Sequence, residues 1–180
     1  MRNIGIFGGS FDPPHIGHLY LAETAYEKFS LSEIIIVPCG VSPYKDKIIE
    51  TPVDCRIDMI ELAMKDTQLH WWIDLFEARR DYVSYTIDTI RYIKGKYPTD
   101  NLFLICGPDA NDTFHTWKDF EDITKYVTLA FSGKHFKCAN LNVRSSMIRE
   151  LIKEDINISR LVPKAVEKYI LERYLYVEEI

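Results

Sequence analysis

Two histidines that could stabilise negative charge lie three residues apart near the start of the chain. His15 and His18 belong to the string GGSFDPPHIGH, residues 8–18, which directly follows a short apolar run. Gly8 and Gly9 let backbone N–H groups approach a ligand closely, and a helix that begins beside the histidines adds partial positive charge at its N-terminus. Imidazoles one helical turn apart can then donate hydrogen bonds to phosphate oxygens whose charge grows during transfer. The string therefore predicts phosphate chemistry.

Three other interpretations of this string fit less well. A dinucleotide-binding fingerprint needs G-x-G-x-x-G, and Gly5, Gly8 and Gly9 do not have that spacing. A P-loop needs a following G-K-[ST], and a zinc-protease helix needs H-E-x-x-H, whereas this segment reads HIGH without a third ligand. Turn and surface histidines remain the simple alternative for an isolated H-x-x-H, but the complete string favours phosphate binding.

Apolar runs alternate with helical spacing and predict the scaffold that positions these residues. Short apolar runs typical of buried strands occupy residues 2–7, 33–38, 70–77, 101–106 and 127–132. Helical spacing occupies residues 16–29, 53–66, 84–97, 116–126, 144–154 and 163–174. Ser84 is the expected N-cap of the third helix, and Pro163 opens the last one. The alternation predicts an α/β fold: a Rossmann-like, doubly wound parallel sheet of about five strands with helices on both faces.

Ligands of such sheets bind beyond the carboxyl ends of the strands, where the strand order switches. The loops that follow predicted strands hold the candidate chemistry, at residues 8–18, 39–45, 107–118 and 144–149. We expect these four segments to converge on one site.

Composition limits the classes of partner. The chain has 180 residues, 47% of them hydrophobic, and a formal net charge of −5. We expect one compact globular domain over residues 1–180, with 144–180 as its C-terminal helical part. The negative charge gives no reason to bind nucleic acid or acidic membranes, and no apolar stretch approaches the ~20 residues of a membrane span. Four cysteines without C-x-x-C spacing, in a chain without a signal-peptide pattern, predict reduced thiols and a cytoplasmic location.

The string GGSFDPPHIGH resembles the HxGH signature of the nucleotidyltransferase superfamily. Its fuller form, G-G-[ST]-F-D-P-x-H-x-G-H, is similar to that of the nicotinate-nucleotide adenylyltransferases. Four later segments resemble that family's motifs in the same order: SPYK (42–45), SYTIDTI (84–90), LICGPDANDTFHTWKDF (104–120) and VRSSMIRE (143–150). Each later motif alone is weak, but five in the family's order, spread over nearly the whole chain, are a strong signal.

The resemblance implies a reaction in NAD biosynthesis. The 5′-phosphate of nicotinate mononucleotide attacks the α-phosphorus of ATP in line and gives nicotinate adenine dinucleotide and pyrophosphate. Because the nucleophile is already an anion, the protein needs only to position the substrates and neutralise charge. Mg²⁺ is implied as a companion of ATP, and we assign it no protein ligand. Whether the chain forms a homo-oligomer stays open.

By the same resemblance, each motif supplies residues of the site. The catalytic candidates are His15, His18 and Arg149. The candidates for ATP and its phosphates are Gly8, Gly9, Ser10, Phe11, Lys45, Gly107, Asp109, Ser145 and Ser146. The candidates for the nicotinate nucleotide are Tyr85, Thr86, Trp117 and Lys118. Spacing places Arg149 on one helix face with the two serines, where all three can point at one anion.

The chain departs from the family pattern at three places. Tyr44 stands where the family usually has histidine. Arg144 replaces the first serine of an S-S-T run, and Ser146 replaces its threonine. The segment GKHFKCANLN, residues 133–142, is short and lacks the family's usual K-R-P-G-like start. Arg144 offers a further phosphate contact. The departures leave other acceptors open, nicotinamide mononucleotide first and pantetheine phosphate more remotely. A non-catalytic nucleotide-binding regulator and a generic flavodoxin-like binding domain are the alternatives from other classes.

Overall fold

The computed structural model describes residues 1–41, 43, 49, 51–137 and 142–177. Lys45 and Tyr44 lie outside the described residues. Within the described ranges, the strands are β1 (Asn3–Gly9), β2 (Glu33–Pro38), β3 (Trp71–Ile73), β4 (Asn101–Cys106) and β5 (Thr128–Phe131). The helices are α1 (Ile16–Lys28), α2 (Val53–Met64), α3 (Thr86–Lys96), α4 (Asp109–Thr113), α5 (Phe120–Tyr126), α6 (Ser145–Lys153) and α7 (Lys164–Glu172), with a 3₁₀ turn at Phe114–Thr116.

The strands form one parallel sheet in the order β3-β2-β1-β4-β5. The chain moves outward from β1 through β2 to β3, and then returns to place β4 on the other side of β1. Ile6 therefore pairs with Ile35 of β2 and with Leu104 of β4. The predicted doubly wound α/β fold is confirmed, and its strand order switches between β1 and β4.

The sheet forms because its central strands are apolar on both faces. Ile34 and Ile36 belong to a core cluster with residues of α1 and α2, whereas Ile35 and Val37 belong to a second cluster with residues of α3 and α5. All four side chains are at most 1% exposed. Burial of one such side chain stabilises the fold by about 1.5–3 kcal/mol.

The last two helices pack on α2 rather than on the sheet. A third core cluster joins Met59 and Ala63 of α2 to Ile148 of α6 and to Val166 and Ile170 of α7. This packing places the start of α6 beside the loop after β1, and polar residues of α6 bond to that loop.

Among the element boundaries that differ from the sequence prediction, three have a clear local cause. The strand β1 continues to Gly9 because its ladder with β2 extends to the pair Gly9 and Pro38. The strand β3 ends at Ile73 because the Asp74 carboxylate accepts the backbone N–H of Phe76 and forms a turn. The helix predicted from residue 116 begins only at Phe120, after a left-handed Asp119 with φ 51°.

The prediction that Ser84 caps α3 was wrong. The helix begins at Thr86, and Tyr85 occupies the N-cap position without a side-chain cap bond. The backbone N–H of Ser84 instead donates to the carbonyl of Val41 at 3.3 Å, beside a bridge between Val41 and Val83. This long-range pairing holds Ser84 in extended backbone, so the helix starts later. In the described part of the chain, no helix is long and apolar enough to cross a membrane.

Candidate active site

A cavity of about 180 Å³ opens beside the carboxyl ends of β1 and β4, where the strand order switches. Gly8, Gly9 and Ser10 line it from the end of β1, and Thr86 and Trp117 line it from the later motifs. Doubly wound sheets bind ligands at this position. The fold therefore brings residues predicted for phosphate and residues predicted for nicotinate to one cavity. A larger groove of about 650 Å³, between α2 and Trp71, contains none of the predicted residues.

His15 and His18 lie side by side at the start of α1. Their rings stack with centroids 3.7 Å apart and planes 27° from parallel. The backbone N–H of His15 donates to Nδ1 of His18 at 3.1 Å. Because Nδ1 accepts, the proton of a neutral His18 ring sits on Nε2. The fold thus fixes the tautomer that offers a donor at the far end of the ring.

Burial keeps both imidazoles neutral at pH 7. It lowers the pKa of His15 to about 4, since this side chain is only 7% exposed. The pKa of His18 lies well below its usual range, first because of burial and then because of repulsion from a charged His15. An anion placed beside the pair favours the charged form and raises both pKa values. The pair can therefore offer neutral donors first and positive charge when a phosphate arrives.

Two glycines make room for the rings of this site. A Cβ atom at Gly17 would lie 3.0 Å from both Cε1 and Nδ1 of His15. A Cβ atom at Gly9 would lie 3.1 Å from Cζ of Phe11, whose ring centroid is 5.0 Å from that of His18. A Cβ at Gly8 would meet only the Val37 carbonyl at 3.9 Å, an ordinary contact. Gly9 therefore gives Phe11 room to pack, and its predicted role in close approach of a ligand stays a prediction.

Ser145 and Arg149 both contact the loop after β1. Ser145 Oγ donates to the carbonyl oxygen of Pro13, and Arg149 Nη1 donates to the carbonyl oxygen of Asp12, each at 2.9 Å. The bond from Arg149 uses one of the five N–H donors of a guanidinium. Ser146 occupies the second position of α6 and is exposed. These contacts support the loop, and joint binding of an anion by the three residues stays a prediction.

Sequence reasoning missed two buried residues that hold the same loop. Arg56 of α2 is 2% exposed and donates from Nη1 to the carbonyl of Ser10 at 2.7 Å. The Tyr176 hydroxyl donates to Oδ1 of Asp12 at 2.8 Å, and Asp12 is 1% exposed. Asp12 therefore fixes the loop. One signal for Arg56 was available, since it shares the apolar face of α2 with Met59 at i+3.

The rim of the site carries an exposed ion pair. Asp109, the first residue of α4 and two residues after Gly107, lies 3.3 Å from Nη2 of Arg144. Both side chains are at least 70% exposed. The pair joins the loop after β4 to the start of α6, so the departure at Arg144 sits beside a residue predicted to contact ATP.

The residues predicted for the nicotinate nucleotide also lie near one another. Trp117 packs edge-on against Phe114 with centroids 5.5 Å apart and lines the cavity together with Thr86. Lys118 Nζ lies 4.3 Å from the ring centroid of Tyr85. The indole of Trp117 is part-buried against the core, so it both packs on the core and lines the cavity.

A buried carboxyl that sequence reasoning did not single out forms another part of the cavity wall. Thr89 Oγ1 donates to Glu77 Oε1 at 2.5 Å, and burial is the main reason that the pKa of Glu77 is raised. A Cβ at Gly40 would lie 2.3 Å from the carbonyl oxygen of Glu77, so only glycine permits this approach. The signal in the sequence was Gly40 alone, which lies two residues after the end of β2.

Two buried side-chain atoms in the described ranges lack a hydrogen-bond partner, His15 Nδ1 and Ser84 Oγ. Both residues belong to the candidate site, and Ser84 lines its cavity. Unpartnered buried polar atoms are rare and point to function. Among the same described residues, no group of three or more histidine, cysteine, aspartate or glutamate side chains could hold a metal ion.

This geometry agrees with comparisons to known proteins. A family model for cytidylyltransferase-like proteins matches residues 6–151, which include the histidine string and the start of α6. The class of the protein is therefore a nucleotidyltransferase built around the loop after β1.

Curated relatives identify one family within the nucleotidyltransferases. The nicotinate-nucleotide adenylyltransferase of Bacillus subtilis is 33% identical over 188 residues, covering 98% of this chain and 99% of its own. A Halalkalibacterium halodurans relative, named a probable nicotinate-nucleotide adenylyltransferase, is 37% identical over 98% of this chain and 92% of its own. The chain belongs to the nicotinate-nucleotide adenylyltransferase family, which confirms the resemblance drawn from the five motifs.

Solved structures share the fold. A Vibrio parahaemolyticus structure superposes with a TM-score of 0.79 at 24% identity and covers 98% of this chain and 96% of its own. Nicotinic acid mononucleotide adenylyltransferase from Plasmodium falciparum, complexed with NaAD, superposes with a TM-score of 0.74 at 21% identity and covers 98% of each chain.

Proposed function

We propose that this chain joins ATP and nicotinate mononucleotide to give nicotinate adenine dinucleotide and pyrophosphate. The observation that carries the proposal is the stacked histidine pair at the N-terminus of α1, in the string whose Gly8, Gly9 and Ser10 line the cavity at the strand switch. Family membership supplies the substrates, since relatives at 33–37% identity over 98% of the chain carry this activity in their names.

The His18 ring performs the central task in this mechanism. Its Nε2–H donates to an ATP phosphate oxygen whose negative charge grows as the nucleotide phosphate attacks the α-phosphorus. His15 stacks behind it and shares the charge when the pair becomes protonated beside the anion. The partial positive charge at the N-terminus of α1 acts on the same oxygens. No general base is required, because the attacking phosphate is ionised at pH 7.

The remaining predicted residues divide between the two substrates. Gly8, Gly9, Ser10 and Phe11 shape the phosphate loop, and Arg149 with Ser145 and Ser146 faces it from α6. Lys45 contributes a further cation, and Gly107 and Asp109 meet the adenosine end of ATP. Mg²⁺ travels with ATP and keeps water and phosphate oxygens as its ligands. Asp12 is occupied by Tyr176, so exposed Asp109 is the better candidate to touch the hydration shell of the ion.

The acceptor end of the cavity selects a pyridine nucleotide. Trp117 offers a flat face for the pyridine ring, and Tyr85, Thr86 and the backbone near Lys118 meet the carboxylate. Ser84 Oγ is a buried hydroxyl without a protein partner in the described part of the chain, and it can bond to the same ligand. The cytoplasmic location stays a prediction from the sequence, and the sequence leaves formation of a homo-oligomer open.

The test is pyrophosphate release with Mg²⁺ and ATP held fixed, while nicotinate mononucleotide or nicotinamide mononucleotide is offered. We expect release with the acid form. His18→Ala should lower kcat by about 10²- to 10³-fold, the usual loss for one transition-state donor. His135→Ala is the matched control, because His135 Nδ1 also accepts a backbone N–H, from Phe131 at 3.0 Å, yet His135 follows β5 and lies outside the histidine string.

Each outcome of this assay is informative. Pyrophosphate release with nicotinamide mononucleotide alone would support adenylyl transfer but would show that the acceptor is the amide rather than the acid. Stoichiometric ATP binding without release from either acceptor contradicts the proposal and favours a regulator. Equal losses in the two histidine variants would remove the catalytic role of His18.

A further inference from the structure

Tyr176 reaches from the C-terminal end of the described chain to the loop that holds the histidines. It follows α7, is 8% exposed, and donates its hydroxyl proton to Oδ1 of Asp12, 164 residues earlier, at 2.8 Å. Burial raises the pKa of Tyr176 far above its usual value, so the hydroxyl stays protonated and acts as the donor.

Asp12 connects this hydroxyl to the catalytic residues. Its carbonyl oxygen accepts from Arg149, while its carboxylate accepts from Tyr176. The positive charge of Arg56 lies near the same carboxylate. Its attraction offsets part of the free-energy cost of burying that carboxylate. Only Pro13 and Pro14 separate Asp12 from His15, and proline rings restrict φ. A displacement of Asp12 is therefore transmitted to the histidine pair rather than absorbed between them.

The C-terminal part makes a second contact with this segment. The backbone N–H of Ile16 donates to the carbonyl of Leu161 at 3.0 Å, so the segment from Asp12 to Ile16 is tied at both ends. Residues after α6 are thus bonded to each end of the stretch that carries His15.

We propose that Tyr176 is a positioning residue, which acts through Asp12 to hold His15 and His18 in the orientation needed for adenylyl transfer. The proposal rests on the proposed function, because it assigns those histidines to the ATP phosphates. It adds a requirement for the segment after α7 that none of the five sequence motifs contains.

The first test compares Tyr176→Phe with Tyr169→Phe. Both changes remove a tyrosine hydroxyl that donates to an aspartate, since Tyr169 donates to Oδ2 of Asp58 at 2.6 Å, but Tyr169 does not contact the loop. We expect Tyr176→Phe to lower kcat about tenfold with a smaller change in KM for ATP, because misplaced donors weaken the transition state most. Tyr169→Phe should stay within about twofold of the parent. Activity is measured well below the Tm of every variant.

A double-mutant cycle with Asp12→Asn separates positioning from general stability. If Tyr176 acts through Asp12, Tyr176→Phe should change kcat by less than about twofold in the Asp12→Asn background. A lowered Tm with parental kcat, or additive losses in the cycle, would overturn the proposal. An inactive parent protein would instead contradict the proposed function. If Tyr176→Phe does not fold, Asp12→Asn alone must lower kcat with little change in KM, and parental kcat there also overturns it.

Discussion

The two sides of the cavity are built differently. On the phosphate side, residues 10–16 are held by hydrogen bonds from α2, from α6 and from the chain after α6. On the acceptor side, the Ser84 hydroxyl lines the cavity and has no partner in the described ranges. Catalysis of phosphoryl chemistry depends on preorganised donors, whereas choice of an acceptor depends on contacts that the ligand completes. The loop at the reacting end is therefore fixed before substrate arrives, with only His15 Nδ1 among its described buried side-chain atoms left without a partner. The contacts of the selecting end are completed by the ligand.

Among the variants that test this comparison, Gly17→Ala should have the largest effect, because it disturbs the histidines of the phosphate side. The new Cβ would lie 3.0 Å from the His15 ring, so the imidazole must move and disturb the stack with His18. We expect kcat to fall by about 10- to 100-fold, because small misplacements of catalytic groups are that damaging. Pyrophosphate release and urea unfolding of the variant measure activity and stability separately.

Gly95→Ala is the control for that change. Gly95 is exposed in α3, and a Cβ there would meet nothing within 4 Å. This variant should gain about 1 kcal/mol of stability from helix propensity and keep parental kcat. If Gly17→Ala also keeps parental kcat, the ring positions do not matter to the reaction, and the contrast between the two sides fails.

The same contrast explains how far the sequence could predict the structure. Continuous apolar runs such as Ile34–Val37 identified the sheet, because strands buried on both faces need no polar alternation. The spacing of His15 and His18 identified the phosphate side, because both lie in one local string. Arg56 and Tyr176 were missed because their partners are 46 and 164 residues away in the chain. Ser84 was assigned as a cap from local preference, and pairing with Val41 overrode that preference.

The two sides should respond oppositely to pH. The pKa of His15 falls from 6.5 when unfolded to about 4 when folded, so the unfolded state binds more protons between these values. Stability is therefore complete above about pH 6.5 and is lost as pH falls towards 4, by about 3 kcal/mol in total from this group. The pKa of Glu77 on the acceptor side is raised, so its contribution is present at low pH and is lost as pH rises through the folded pKa.

Urea unfolding at neutral and mildly acidic pH measures these contributions. The parent should lose more stability on acidification than His15→Gln, which has no proton to bind at that position. Glu77→Gln should lose more than the parent, since it lacks the compensating carboxyl. Identical acid sensitivity in the parent and in His15→Gln would mean that the pKa of His15 is not shifted by folding.

Arg144→Ser should produce the smallest effect, because it changes only the exposed rim. The ion pair with Asp109 is solvated, and such pairs contribute about 0–1 kcal/mol, so Tm should hardly change. Loss of one positive charge beside an anionic substrate should raise KM for ATP about two- to fivefold at low salt, and screening should reduce the difference at high salt. Arg173→Ser removes an equal charge beyond α7, where the guanidinium lies over the Tyr169 ring, and should leave KM unchanged. If Arg144→Ser keeps parental affinity for both nucleotides at low salt, Arg144 contacts neither phosphate. The departure from the family's serine would then have no effect on nucleotide affinity. Selectivity for the acceptor would depend on Trp117 and its neighbours alone.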